Sequence, residues 1–283
     1  MSSEPRFPSH TPRMSASSPA KGSLKARFRH ATATEFSAQP LRAAAAPLTR
    51  DDLAGLPDCV QRYVQRSGAV GRARPQNMRV SFDARMYRKP GQAPMRARAV
   101  QYTFFARPAR LFLMDARMLG LPVRALHVYR DASATFTVRV ASAFTMVDLS
   151  GDHISAAETV TVLNDLCLMA PGALADDRLA WTSSDDRTAT VTFTNGSRQV
   201  SATLVFSDDD DLVDFWSDDR PDNSGGGFVP MRWSTPVSDY QDLDGRHILR
   251  NGSAVYHRAD GPFTYGEFTL RSIGYDVAGP TPG

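Results

Sequence analysis

Only two cysteines, Cys59 and Cys167, occur in 283 residues, far apart and in no CxxC or Cys/His spacing. That excludes a disulfide framework and a structural zinc site and leaves stability to core burial. Long apolar runs are missing too: each breaks at Arg, Asp or Pro well short of the roughly 18 to 20 residues that a spanning helix needs. No transmembrane segment is expected. The serine-hydrolase elbow G-x-S-x-G and the phosphate loop G-x-x-x-x-G-K-[ST] are absent, which removes the signatures of two common enzyme classes. The six histidines show neither HxH nor HExxH spacing, so no metal site is expected, and no cofactor is indicated.

The net charge of +3 is unevenly spread. Met1 to Arg50 carries eight Lys or Arg against Glu4 and Glu35, leaving 25 basic and 28 acidic residues in the remainder. The body is therefore mildly acidic and holds no bulk attraction for phosphate polymers, so nucleic acid is not an expected partner. The N-terminal arm is rich in Ser, Ala, Pro and Arg and has little apolar surface to bury, and residues 1–47 are expected to be disordered. Its one apolar stretch, Leu41 to Leu48, is broken by Arg42, which disfavours a secretory signal, and Pro5, Pro8, Pro12 and Pro19 disfavour an amphipathic transit helix. A true start at Met14 or later is an equal alternative. Without an export signal the expected location is the cytoplasm.

Beyond the arm a short helix opens at Leu56–Asp58, with Cys59, Val60, Tyr63 and Val64 on one side and Gly68 as terminator. From Met78 onward period-two alternation dominates, as in Val80, Phe82, Ala84, Met86 and again in Ala134, Phe136, Val138, Val140. Further strands are expected at 97–105, 110–118, 123–130, 187–194, 199–206, 212–216, 247–257 and 263–275. Asn195-Gly196, Asp244-Gly245, Asp260-Gly261 and Pro90-Gly91 mark reversals between antiparallel neighbours. One internal helix is expected from a Ser155 cap, with Glu158 completing a capping box, to Met169 before Pro171-Gly172. It is apolar on most sides and must be enclosed. The fold class is mainly β (α+β): a curved antiparallel sheet or open half-barrel wrapped around that helix, one domain over 48–277, with a flexible tail at 278–283.

Three strings, LPDCVQRYVQRSGAVGRARPQNMRV (Leu56 to Val80), LNDLCLMAPGAL (Leu163 to Leu174) and MRWSTPVSDYQDLDGRHI (Met231 to Ile248), resemble an uncharacterised bacterial domain-of-unknown-function family. It is the one numbered six-five-four-four or its near neighbour six-nine-two-zero. The resemblance spans Leu56 to Tyr275. It implies a single domain, a shape similar to the lipid-binding half-barrels of lipoprotein carriers, and no catalytic residue. The family favours larger aromatics around the internal helix where this chain has Cys167, Leu168 and Met169, which implies a roomier or differently filled pocket.

The richest polar string is Arg232-Trp233-Ser234-Thr235-Pro236, followed by Asp239 and Tyr240, a plausible lining for a small-molecule site; its plainer reading is core filling and backbone satisfaction beside a proline. Tyr102 and Tyr129 on strands, Asn164 on the internal helix and Arg220 ahead of Pro221 complete the ligand-binding candidates with Trp233, Ser234, Thr235 and Tyr240. Asp239 with His257 or His247 is a weak acid–base candidate that needs the fold to bring the pair together. Asp208 to Asp211 reads as a solvated hairpin turn rather than a calcium site. Gly225-Gly226-Gly227 reads as a mobile loop, and Asn195-Gly-Ser197 and Asn251-Gly-Ser253 as turns.

Three functions from different classes remain. The favoured one is a non-catalytic module binding an apolar or lipid-like small molecule in the half-barrel cavity. The second is a hydrolase-type or isomerase-type enzyme using Asp239, His257 and nearby hydroxyls, and the third is a protein-interaction scaffold with a packed interior. Nothing in the sequence fixes an oligomeric state.

Overall fold

Alternating apolar residues make each strand two-faced, and the inner face is turned to a buried core. The computed structural model describes residues 22–43, 46–141, 144–222 and 228–281, without the side chains of 183 and 184. Two helices precede the sheet, α1 (Leu24–Ala38) and α2 (Asp58–Arg66). A meander follows: β1 (Asn77–Met86), β2 (Met95–Phe104), β3 (Ala109–Met118), β4 (Leu121–Arg130), β5 (Ser133–Val140) and β6 (Phe144–Ser150). Helix α3 (Asp152–Met169) leads to a second meander of β7 (Leu179–Asp185), β8 (Thr188–Asn195), β9 (Arg198–Phe206) and β10 (Leu212–Ser217). Short strands β11 (Trp233–Ser234), β12 (Val237–Ser238), β13 (Gln241–Leu243) and β14 (Arg246–Ile248) precede the long closing pair β15 (Asn251–Arg258) and β16 (Gly261–Tyr275).

The main sheet runs β6-β5-β4-β3-β2-β1-β16-β15-β11-β10-β9-β8-β7, with β12 also on β15 and β13–β14 as a separate hairpin. Every pairing is antiparallel. The ends of this order are β6 and β7, and α3 is the segment between them in sequence. It therefore crosses the concave face from one edge of the sheet to the other, touching β4, β5 and β6 at one side and β9 and β10 at the other. That crossing holds the sheet curled as a half-barrel around α3, the architecture expected. Val160, Val162, Leu163 and Cys167 of α3 are essentially inaccessible.

Several expectations are corrected. The internal helix begins a turn earlier than Ser155: Gly151, at φ +99, is its N-cap. Ser155 instead accepts from the Ala134 amide at 2.9 Å and donates to the Gly151 carbonyl at 2.7 Å. This frees Glu158 from any capping box. The expected strand 247–257 is two pieces, since β14 pairs with β13 and only β15 joins the main sheet. Asn251-Gly-Ser253 begins β15 and is no turn, whereas Asn195-Gly196 closes the β8–β9 hairpin. Gly68 does end α2, at φ +71, and a Cβ there would meet the Gly245 carbonyl oxygen at 2.2 Å, so only glycine allows the β13–β14 hairpin to close on α2.

The expected disorder of 1–47 fails over residues 24–38, which form α1. Ser23 caps the helix through the Ala26 amide, and Leu24, Phe28 and Ala31 lie on the convex face against Tyr102, Phe104, Leu111 and Leu126. A helix with so weak an apolar face persists because the sheet offers it an apolar bed. Of the tail expected to be flexible, 278–283, the Thr281 amide donates to the Tyr102 hydroxyl at 2.9 Å, and residues 282–283 lie outside the described residues. Residues 1–21 and Gly225-Gly226-Gly227 lie outside the described residues. The Asp208–Asp211 turn joins β9 to β10 but is not simply solvated: Asp208, Asp210 and Asp211 meet Arg187, Arg62 and Arg66. No helix among the described residues is long and apolar enough to cross a membrane.

Candidate functional site

Between α3 and the concave face of the sheet lies a cavity of about 920 Å³. Its apolar wall includes Phe82, Phe112, Phe136, Leu168, Phe263 and Phe268. The size lies toward the top of the range of about 300–1,000 Å³ usual for small-molecule pockets. Alternation decides what each strand contributes. On β3, Arg110, Phe112 and Met114 face the cavity while Leu111 and Leu113 face α1. On α3, Ile154, Glu158, Thr161, Asp165 and Leu168 recur at helical spacing along the lining face, as residues three or four apart must.

The floor is a buried polar cluster. Arg110 donates from Nε to Asp165 Oδ2 at 2.6 Å, from Nη1 to Glu158 Oε2 at 3.1 Å and from Nη2 to Gln101 Oε1 at 2.9 Å. Gln101 Nε2 in turn donates to Asp165 Oδ2 at 2.7 Å. His127, stacked on Phe136 with ring centroids 4.0 Å apart, brings Nδ1 to 3.1 Å from Glu158 Oε1, without hydrogen-bond alignment. Burial opposes ionisation of Glu158, but His127, Arg110 and Arg220 outweigh it and hold the carboxyl down at about 2. Asp165 goes the other way: burial, aided by Glu158, raises its pKa despite Arg110 and Gln101. The two carboxyls are thus pushed apart by their surroundings.

A second polar group lines the wall formed by β11, β15 and β16. Arg220 stacks over Trp233, 4.6 Å from the ring centroid, and donates through Nη1 to the Tyr256 hydroxyl. The Tyr256 and Tyr265 rings stack at 5.0 Å, and Trp233 Nε1 donates to the Tyr265 hydroxyl at 3.1 Å. Nearby, Asn164 Nδ2 donates to Thr235 Oγ1 at 2.5 Å, tying α3 to the sheet.

Four of the eight ligand-binding candidates therefore meet at the cavity: Asn164, Arg220, Trp233 and Thr235. The other four do not. Tyr102 lies on the convex face with Phe28 and Phe36. Tyr129 points inward but is fully enclosed, bonded to Thr159 and Asn195. Ser234 follows Trp233 on β11 and so faces outward, where its hydroxyl lies 2.8 Å from His257 Nε2. Tyr240 donates to the Leu212 carbonyl at 2.8 Å and stacks on His247. The acid–base pair is not assembled either. Asp239 bonds Asn251 at the start of β15, whereas His257 lies six residues along that strand, about 20 Å away at strand rise. His247 contacts Asp211 at 2.9 Å instead.

Sequence reasoning missed Arg110, Glu158, Asp165, Tyr256 and Tyr265. The available signal was the spacing of Glu158, Thr161 and Asp165, which puts polar groups on one face of an otherwise apolar helix. Of the three residues where the resemblance implied a roomier pocket, Leu168 and Met169 line the cavity, while Cys167 is wholly buried.

Residues 46–268 match the family of unknown function DUF6544. The chain belongs to that family. No curated protein matches it significantly in sequence. Among solved structures, it is similar to a LolA superfamily protein from Nitrosomonas europaea, with 10% identity, 76% of this chain and 92% of that one covered, and a TM-score of 0.43. It is also similar to a domain described as an outer membrane lipoprotein-sorting protein from Vibrio parahaemolyticus, with 9% identity, 71% and 86% coverage, and a TM-score of 0.39.

Proposed function

We propose that this DUF6544 member is a non-catalytic carrier that holds an apolar or lipid-like small molecule between α3 and the concave sheet. The observation that carries this reading is the cavity of about 920 Å³ with its mainly apolar wall. One of its polar groups is already paired within itself, Arg110 with Glu158, Asp165 and Gln101, and the apolar wall around it suits hydrocarbon. An enzyme built on Asp239 and His257 has no common site, and a scaffold with a packed interior does not fit a void of this size. The reading keeps the cytoplasm as location, where the buried and unpaired thiols Cys59 and Cys167 stay reduced; cell fractionation checks it.

Native mass spectrometry of the purified full chain, followed by denaturing extraction, tests the reading. The expected result is a small-molecule adduct released on unfolding. An apo mass alone, together with no uptake of an apolar fluorescent dye, overturns it.

A further inference from the structure

We propose that the carried molecule is an amphiphile with a carboxylate head, and that Arg220, Tyr256 and Tyr265 bind that head; the proposal rests on the carrier reading above. The argument is an account of donors. Arg220 Nε donates to Thr161 Oγ1 at 3.3 Å and Nη1 to the Tyr256 hydroxyl oxygen, while Nη2 has no partner among the described residues. The Tyr265 hydroxyl accepts from Trp233 Nε1 at 3.1 Å and donates to none of the described groups. The Tyr256 hydroxyl accepts from Arg220, and its one outgoing contact among the described residues, to the Pro221 carbonyl, is 3.5 Å long. A phenol whose oxygen is accepting still has its proton to give.

Arg220, Trp233, Tyr256 and Tyr265 close into a ring of contacts on the cavity wall: guanidinium over indole, indole to phenol, phenol on phenol, and phenol back to guanidinium. This fixes the donors in place before any ligand arrives. Burial pushes the Tyr256 hydroxyl well above its ordinary pKa, so it remains a donor. A purely hydrocarbon ligand would leave these N–H and O–H groups facing it unpaired. A carboxylate is acceptor-only, with about four lone-pair sites on two oxygens, and matches a guanidinium edge flanked by hydroxyls.

The surroundings favour one negative charge over two. Glu158 is held ionised and interacts electrostatically with Arg220, so each negative charge on the head adds repulsion from that carboxylate, twice as much for a dianion as for a monoanion. Arg258, another cation lining the cavity with Arg88 and Lys89, lies 3.5 Å from Asp222 and over the Phe263 ring.

Isothermal titration of the full chain at pH 8 with dodecanoic acid, 1-dodecanol and dodecyl phosphate tests the proposal. Dodecanoate is expected to bind at least about tenfold tighter than the alcohol, in line with charge-assisted hydrogen bonds. Arg220→Gln should lose about that factor for dodecanoate and stay within about twofold for dodecanol, and Tyr265→Phe should lose a few-fold for the acid alone. The acid-to-alcohol ratio of the unaltered protein decides the matter even if a variant fails to fold. Equal binding of acid and alcohol overturns the carboxylate head and leaves the carrier reading standing. Tighter binding of the phosphate overturns the monoanion argument. Binding of none of the three overturns the carrier reading itself.

Discussion

Arg110 Nε lies 2.6 Å from Asp165 Oδ2, inside the half-barrel, and the same guanidinium reaches Glu158 at 3.1 Å. One cation therefore compensates two carboxyls that are each nearly inaccessible. Removing it leaves Asp165 without its cation and Glu158 with His127 and Arg220 alone, and breaking a buried pair from one side costs about 3–5 kcal/mol. Arg110→Met is expected to lower the unfolding free energy by that amount in urea titration, and adding Glu158→Gln and Asp165→Asn should recover part of it. An unchanged midpoint in the single variant would show that the cluster does not support the fold.

The same cluster sets an acid response. Glu158 is depressed from 4.5 to about 2, so its contribution is fully present above about 4.5 and is lost as pH falls through about 2. Asp165 is raised, so its contribution has the opposite sign: present below 3.8 and lost as pH climbs through its folded value. The Glu158 part is on the order of 3 kcal/mol, from about 1.4 kcal/mol per unit. Urea midpoints measured from pH 5 to pH 2.5 should fall steeply in the unaltered protein and more gently in Glu158→Gln. Parallel slopes would refute the assignment.

Helix α1 makes the N-terminal segment structural. Phe28 packs on Tyr102 with ring centroids 6.0 Å apart, and Glu35, almost fully buried, sits 3.2 Å from Arg130 and 3.6 Å from Arg107. Deleting residues 1–39 would uncover Tyr102, Leu111 and Leu126 to water. Truncation should lower the melting temperature and promote aggregation, and Phe28→Ala alone should cost about 3 kcal/mol. Unchanged melting of the truncated chain would return this segment to the dispensable arm that its composition suggests.

What the sequence made legible was whatever depends on neighbours in the chain. Alternation in Phe82, Ala84 and Met86 marked β1, and Asn195-Gly196 marked a hairpin. Helix α1 stayed hidden because its buried set includes Thr32 and Glu35, which read as solvent-facing until the bed beneath them is known. A signal was nonetheless present in Leu111, Phe112, Leu113 and Met114, since an unbroken apolar run in a strand means that both faces are covered. The site divides in the same way. Trp233 and Thr235 stood out as a local string, whereas Arg110 meets partners 48 and 55 residues away. Glu158, three positions after Ser155, imitated a cap.

Asp214 on β10 carries a cost of its own. Its Oδ1 is buried and has no hydrogen-bond partner among the described residues. Burial drives its pKa up to about 6, although the Phe215 and Thr235 amides pull it down. Because the folded value lies above the usual 3.8, the protonated form favours folding. That contribution is complete below about 3.8 and disappears as pH rises through about 6. At pH 7 the ionised carboxylate therefore weakens the fold, and Asp214→Asn, which keeps the shape and removes the charge, should stabilise it. The side chain is partly accessible, so the gain is discounted to about 1 kcal/mol. Thermal melts at pH 7 and pH 4 provide the check: the variant should melt higher at pH 7 and converge with the parent at pH 4. A variant that is less stable at pH 7 would mean that the carboxylate has a charged partner that the burial argument overlooks.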